Sequence, residues 1–139
     1  MKVRNYKTVT ARFKRLTKQA ELQVKSSVVR NTDQIFAEAL NEVPIRDGHL
    51  RGSGNTSYQD NQLTGIVAFG GNAAPYAPYV EFGTGKNKVI PAGFEKFAYQ
   101  YYVNGEGTMN PQPYLIPAFI KYRKVFLSDM RKIAKNISK

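Results

Sequence analysis

Apolar positions recur through the first part of the chain at spacings of three, four and seven: Phe13, Leu16, Ala20, Val24, Val28, Ile35 and Ala39. That spacing keeps them on one face of an α-helix. No Pro or Gly interrupts the run, so a single helix is predicted from about Val9 to Glu42, ended by Pro44 and Gly48. About 30 residues at about 1.5 Å each would reach roughly 45 Å. That is long for a chain of this size, and one end is expected to project or to pack on a neighbouring subunit.

The pattern then changes. Residues 44–62 are polar and glycine-rich, with Gly48, Gly52, Ser53, Gly54 and Asn55, and read as a loop, flexible over 46–56. Residues 56–58 and 62–69 have strand character, carried by Leu63, Ile66, Val67, Ala68 and Phe69 and closed by Gly70-Gly71-Asn72. Residues 75–85 form a compact aromatic segment. Phe94 to Val103 favours a short helix followed by loop, and 86–110 is the stretch the pattern defines least. Ile116, Phe119, Phe126, Met130, Ile133 and Ile137 return to helical spacing and predict a last helix over 114–137, with Pro117 tolerated in its first turn. The expectation is an α+β fold in one domain over 1–139. A long N-terminal helix and a C-terminal helix pack on a small antiparallel sheet, and residues 1–9 form a flexible lead-in.

Composition narrows the chemistry. The chain has 139 residues and no cysteine, which excludes disulfides and thiolate metal sites. No apolar run approaches the roughly 20 residues of a membrane span. Lys2, Arg4 and Lys7 precede no apolar stretch, so no signal peptide is expected. The net charge is +11, divided as +8 over residues 1–30, −3 over 31–120 and +6 over 121–139. Positive charge therefore concentrates in the two predicted helices. Their candidate basic faces are Arg12, Lys14, Arg15 and Lys18 on the first, and Lys121, Arg123, Lys124, Arg131 and Lys132 on the last. Such segregation points to an acidic protein surface, to nucleic acid, or simply to a solvated face.

Catalytic patterns are not evident. His49 is the only histidine and lies in a glycine-rich loop beside Asp47. The acids are scattered and form no ligand cluster. Gly83-Thr84-Gly85-Lys86 fails as a phosphate loop, because Val80 stands where glycine is needed and Asn87 follows the lysine. Gly105-Glu106-Gly107 is too short for a dinucleotide fingerprint. Glu81 and Glu95 have nothing to pair them as glycosidase carboxylates. No enzymatic activity, cofactor, metal or small-molecule substrate is expected.

Three segments in order carry a resemblance: Val43 to Ser53 (VPIRDGHLRGS), Tyr76 to Thr84 (YAPYVEFGT) and Pro111 to Ala118 (PQPYLIPA). Together they resemble the lambdoid-phage gene-product-ten-like family of tail components. The middle segment is the most specific. Asp47 departs from the usual Thr and Tyr114 from the usual Phe. The resemblance implies a virion structural protein of a tailed bacteriophage, a neck or tail-completion subunit made in the host cytoplasm and placed at the head–tail junction. By the same resemblance its partners are further copies of itself, in a six-fold ring, and neighbouring neck or tail proteins. The basic helices leave DNA proximity open beside an acidic partner surface, which is preferred, and the absence of a long apolar run gives no membrane partner. A tail terminator or head-closure ring protein is the nearest alternative. A basic nucleic-acid-binding module is the alternative from a different class.

The residues of these segments also have a direct physical reading. Tyr76, Tyr79 and Phe82 offer large stiff apolar area. Glu81 among them requires a basic or backbone N–H partner, since a carboxylate amid aromatics is otherwise costly. Core closure is one use of Tyr76, Val80 and Phe82. Subunit or partner contact is the candidate role for Tyr79, Glu81, Phe82, Gly83, Thr84, Leu50 and Arg51, with the long helix as the opposite patch. On that view a lysine at position 81 leaves the monomer folded and impairs assembly.

Overall fold

The computed structural model describes residues 1–4, 18–46, 48–101 and 105–137. It is α+β. In chain order the elements are β1 (Lys2–Arg4), α1 (Lys18–Glu42), α2 (His49–Gly52), β2 (Asn55–Gln59), β3 (Thr64–Ala68), α3 (Ala77–Phe82), α4 (Glu95–Tyr99) and α5 (Ile116–Ile137). Short 3-10 turns occupy Gly71–Ala73 and Gly85–Asn87. The strands form one antiparallel sheet in the order β1-β3-β2. Val3 and Thr56 both pair with Val67 of the central strand.

The apolar periodicity of α1 has the effect the spacing demands. Ala20, Val24, Val28, Ile35 and Ala39 are buried, and so are the polar residues Ser27, Asn31 and Thr32 among them. The helix packs on β3 and β2 and also along α5. All five residues of β3 are buried. Gly65 permits the close approach, since a Cβ there would meet Thr32 Oγ1 and lie 2.9 Å from Thr32 Cβ. The Thr32 hydroxyl is turned back, donating to the Val28 carbonyl at 2.6 Å.

Two apolar clusters result. The larger joins Ile35, Leu50, Phe69, Phe82, Tyr114 and Phe119 with their neighbours. The smaller joins Val24, Val28 and Leu63 to Phe126, Met130 and Ile133 of α5. Phe69 lies at the centre of the first, 5.9 Å from Phe36 and edge-on to Tyr114 at 5.3 Å.

Several details differ from the sequence reading. The chain start is not merely a flexible lead-in. β1 occupies Lys2–Arg4, the Met1 ammonium donates to the Phe69 carbonyl at 2.6 Å, and the Phe69 N–H donates to Met1 O at 2.9 Å. Residues 5–9 of that lead-in, and the 9–17 portion of the predicted helix, lie outside the described residues, as does Asp47. The 46–56 loop contains α2 and opens β2. It is fastened by buried Leu50 and by Ser53 Oγ, which donates to Leu50 O at 2.6 Å and accepts the Gly70 N–H at 2.8 Å. The aromatic segment at 75–85 is helical over Ala77–Phe82, with Pro78 in its first turn. The last helix begins at Ile116, after buried Tyr114 and Leu115.

Candidate functional site

The second and third resemblance segments meet at Glu81, on α3. Its side chain is 1% exposed. Oε2 accepts the backbone N–H groups of Tyr114 at 3.0 Å and Leu115 at 2.9 Å, and Oε1 accepts that of Ile116 at 2.9 Å. A helix leaves its first N–H groups without intrahelical partners and carries positive partial charge at that end. Glu81 supplies both the acceptors and the compensating charge for α5 from a different part of the chain. Burial pushes its carboxyl above the ordinary range, against the lowering effect of the three N–H groups. The backbone N–H partner that the sequence asks for is present.

Neighbouring contacts lock the same joint. Gln112 N–H donates to Val80 O at 2.8 Å, and Val89 N–H to Phe82 O at 2.7 Å. Tyr114, wholly buried, donates its hydroxyl to Ala77 O at 3.3 Å, and burial raises its pKa strongly. Thr84 exchanges with Met109 twice: its N–H donates to Met109 O at 2.9 Å, and its Oγ1 accepts the Met109 N–H at 2.9 Å. Gly83 turns the chain out of α3 at φ +76°, where a Cβ would lie 2.9 Å from both Met109 O and Pro111 Cδ.

These positions revise the interface candidates. Glu81, Phe82, Gly83 and Leu50 are interior residues, because the helix end, the aromatic cluster and the turn consume them. Phe82 is edge-on to Phe97 at 6.3 Å. Tyr79 and Thr84 are half-buried, and Tyr79 OH reaches Tyr101 O at 3.5 Å. Arg51 alone of the seven is exposed. A capped carboxylate that is 1% exposed is a joint within the chain, and Glu81 also belongs to the lining of a groove between the 89–91 segment and α5.

The basic candidates divide differently. Arg12, Lys14 and Arg15 lie outside the described residues. Lys18, at the start of α1, is exposed. Lys121, Arg123, Lys124, Arg131 and Lys132 are all exposed on α5, and Lys121 is paired with Glu38 at 2.9 Å.

Sequence reasoning missed a polar network between α1 and α5. Asp129 Oδ2 accepts from Ser27 Oγ at 2.7 Å, from Arg30 at 2.6 Å and from Asn31 Nδ2 at 3.1 Å. Asn31 also donates to Ser27 O at 2.8 Å. Burial acts to raise the Asp129 pKa, but the hydrogen bonds from Ser27, Arg30 and Asn31 and the Arg30 charge bring it below the ordinary value. The available signal was Ser27 and Asn31, two polar residues four apart within the apolar stripe of α1.

Also missed was an apolar groove of about 470 Å³ between the 89–91 segment and the first turns of α5, with Lys121 and Lys124 at its margin. Among the described residues no cluster of His, Cys, Asp and Glu could hold a metal ion, and no helix is long and apolar enough to cross a membrane. Comparison with protein-family models, curated proteins and solved structures finds no match.

Proposed function

We propose that this chain is a structural, non-enzymatic subunit of a tailed-bacteriophage neck, acting in tail completion as one copy of a ring at the head–tail junction. The observation that carries the reading is the Glu81 joint. Two segments whose residues resemble the phage family are remote in sequence, yet the carboxylate of one caps the helix that follows the other. Leu50 of the first segment lies in the same apolar cluster as both. The motif residues thus form a rigid body on which outer surfaces are displayed. Those surfaces are the groove, the exposed corner at Ile45, and the basic side of α5.

The test is the native mass by light scattering over a wide concentration range. A single closed oligomer, a hexamer by the resemblance, is the expected result. A monomer at every concentration overturns the self-assembling ring.

A second reading, a free nucleic-acid-binding module, is favoured by one feature. Lys121, Lys124, Arg131 and Lys135 lie at helical spacing on one side of α5 and extend over roughly 21 Å. Against it, most of the aromatic residues are packed in or against the apolar core. Among the described residues only Tyr122, under the Lys121 ammonium at 5.2 Å, adjoins this stripe, whereas single-strand binders interleave several aromatics with their basic residues. Tight duplex DNA binding with a steep salt dependence would favour this reading over the ring.

A further inference from the structure

Ile45 is 70% exposed, more than any other large apolar side chain among the described residues. It stands just past the end of α1, stiffened by Pro44. Single exposed apolar residues are ordinary, but this one has a counterpart. The groove beside α5 is walled by Val89, Pro91, Pro113, Pro117 and Ile120, and Val89 is itself 60% exposed.

Charge follows the same complementarity. Lys121 at the groove margin is engaged by Glu38, while Lys124 is exposed and has no ion-pair partner among the described residues. Glu42, three residues before Ile45, is likewise exposed and without an ion-pair partner among them. One chain therefore carries an apolar knob flanked by the Glu42 carboxylate and the exposed Arg46 guanidinium, and an apolar groove whose lining includes Lys124, which has no ion-pair partner among the described residues. The spacings agree. Three residues of extended chain span at most about 10 Å, and Pro117 and Lys124 are separated by roughly 10 Å along the helix axis.

We propose that the Glu42–Ile45 corner of one copy docks in this groove on a second copy, with Ile45 between Val89 and Pro117 and Glu42 facing Lys124. In the ring reading, on which this contact rests, it is heterologous and repeats from subunit to subunit.

The chain has no cysteine, so Ile45→Cys and Val89→Cys each introduce a unique thiol at an exposed position. The two purified variants are mixed and mildly oxidised. The mixed 45–89 disulfide is expected to form roughly tenfold faster or more than a control pairing of Ile45→Cys with Asn72→Cys, because docking raises the effective concentration. Adding Glu42→Lys to the first chain, or Lys124→Glu to the second, should slow the reaction, and adding both should restore it. A rate equal to the control, or one indifferent to both charge changes, overturns the contact. Light scattering on the cysteine-free chain separates this from the ring reading. A closed oligomer lacking the 45–89 cross-link overturns the contact and keeps the ring. A 45–89 cross-link that forms in a chain whose cysteine-free parent scatters as a dimer at every concentration supports the contact and overturns the ring.

Discussion

At the scale of single residues, Glu81 carries the strongest consequence. Replacing it with Ala leaves three buried N–H groups without acceptors. Each unsatisfied buried donor costs about 1–3 kcal/mol, so Glu81→Ala should lower unfolding free energy by about 3 kcal/mol or more, read from urea denaturation. Glu81→Lys should unfold the monomer outright, because it sets a cation against the positive end of α5 in a site that is 1% exposed. That reverses the expectation of a folded but assembly-defective protein. The pH dependence has a definite sign. Burial raises the Glu81 pKa, so the folded protein holds this proton more tightly than the unfolded chain does. The contribution is complete below the ordinary carboxylate range and is lost as pH rises through the folded value. Glu81→Gln should remove that slope. A second residue-scale outcome concerns the β2–β3 turn, where Asp60, Asn61 and Gln62 hold φ of 53°, 55° and 66°. Asp and Asn tolerate this region, and Thr64 Oγ1 donates to Asp60 Oδ2 at 2.8 Å. Gln62 has no such excuse. Gln62→Gly should raise the thermal midpoint, with a gain of about 0.5–1 kcal/mol after the entropic cost of glycine.

At the scale of elements, the antiparallel α1–α5 pair is fixed by more than its apolar seam. Asp129 gathers Ser27, Arg30 and Asn31 around one oxygen, while Gln34 with Tyr122 at 3.4 Å and Glu38 with Lys121 at 2.9 Å continue the register toward the other end. Asp129→Asn keeps the shape but removes the charge that these donors serve. Arg30 is more than half exposed, so its share is screened, and the total loss should be about 1–2 kcal/mol. Here the pH sign is opposite to that of Glu81. The Asp129 pKa is lowered by its partners, so its contribution is present above the ordinary aspartate value and is lost as pH falls through the folded value. Stability curves of the Asp129→Asn and Glu81→Gln variants should therefore lose opposite slopes. The elements themselves were legible to an uneven degree. α1 and α5 were readable because a helix buries a periodic stripe. β1 was not, since three residues without periodicity acquire strand geometry only by pairing with β3. Nor was α2, whose four residues in a glycine-rich stretch are held by the burial of Leu50.

At the scale of the whole molecule, the basic candidates of the last helix are exposed on α5, whereas several residues expected to face outward are interior. The YVEFGT segment looked like a contact surface because it is aromatic and carries an acid. Only the fold reveals that the helix end at 114–116 claims that acid, since a long-range cap leaves no local spacing signal. Conversely, Val89 and Pro91 belong to the stretch that the pattern defines least, and only the fold gathers them with Pro113 and Pro117 into a groove. What remains for the exterior is the unbalanced charge of α5, which has Lys121, Arg123, Lys124, Arg131, Lys132 and Lys135 against Asp129 alone. A helix evolved only for solubility would interleave Glu with Lys at i,i+4, where opposite charges gain about 0.2–0.5 kcal/mol and like charges lose as much. Arg131 and Lys135 are a like-charged i,i+4 pair on the exposed side. Arg131→Glu converts the repulsion into the favoured Glu-to-Lys orientation, so the isolated chain should gain about 0.5 kcal/mol in urea unfolding. If the stripe serves an acidic partner, the same variant should bind that partner, or a polyanion such as heparin, more weakly and with a shallower salt dependence. Greater stability with undiminished polyanion affinity would show that the basic side of α5 is a solvated face and nothing more.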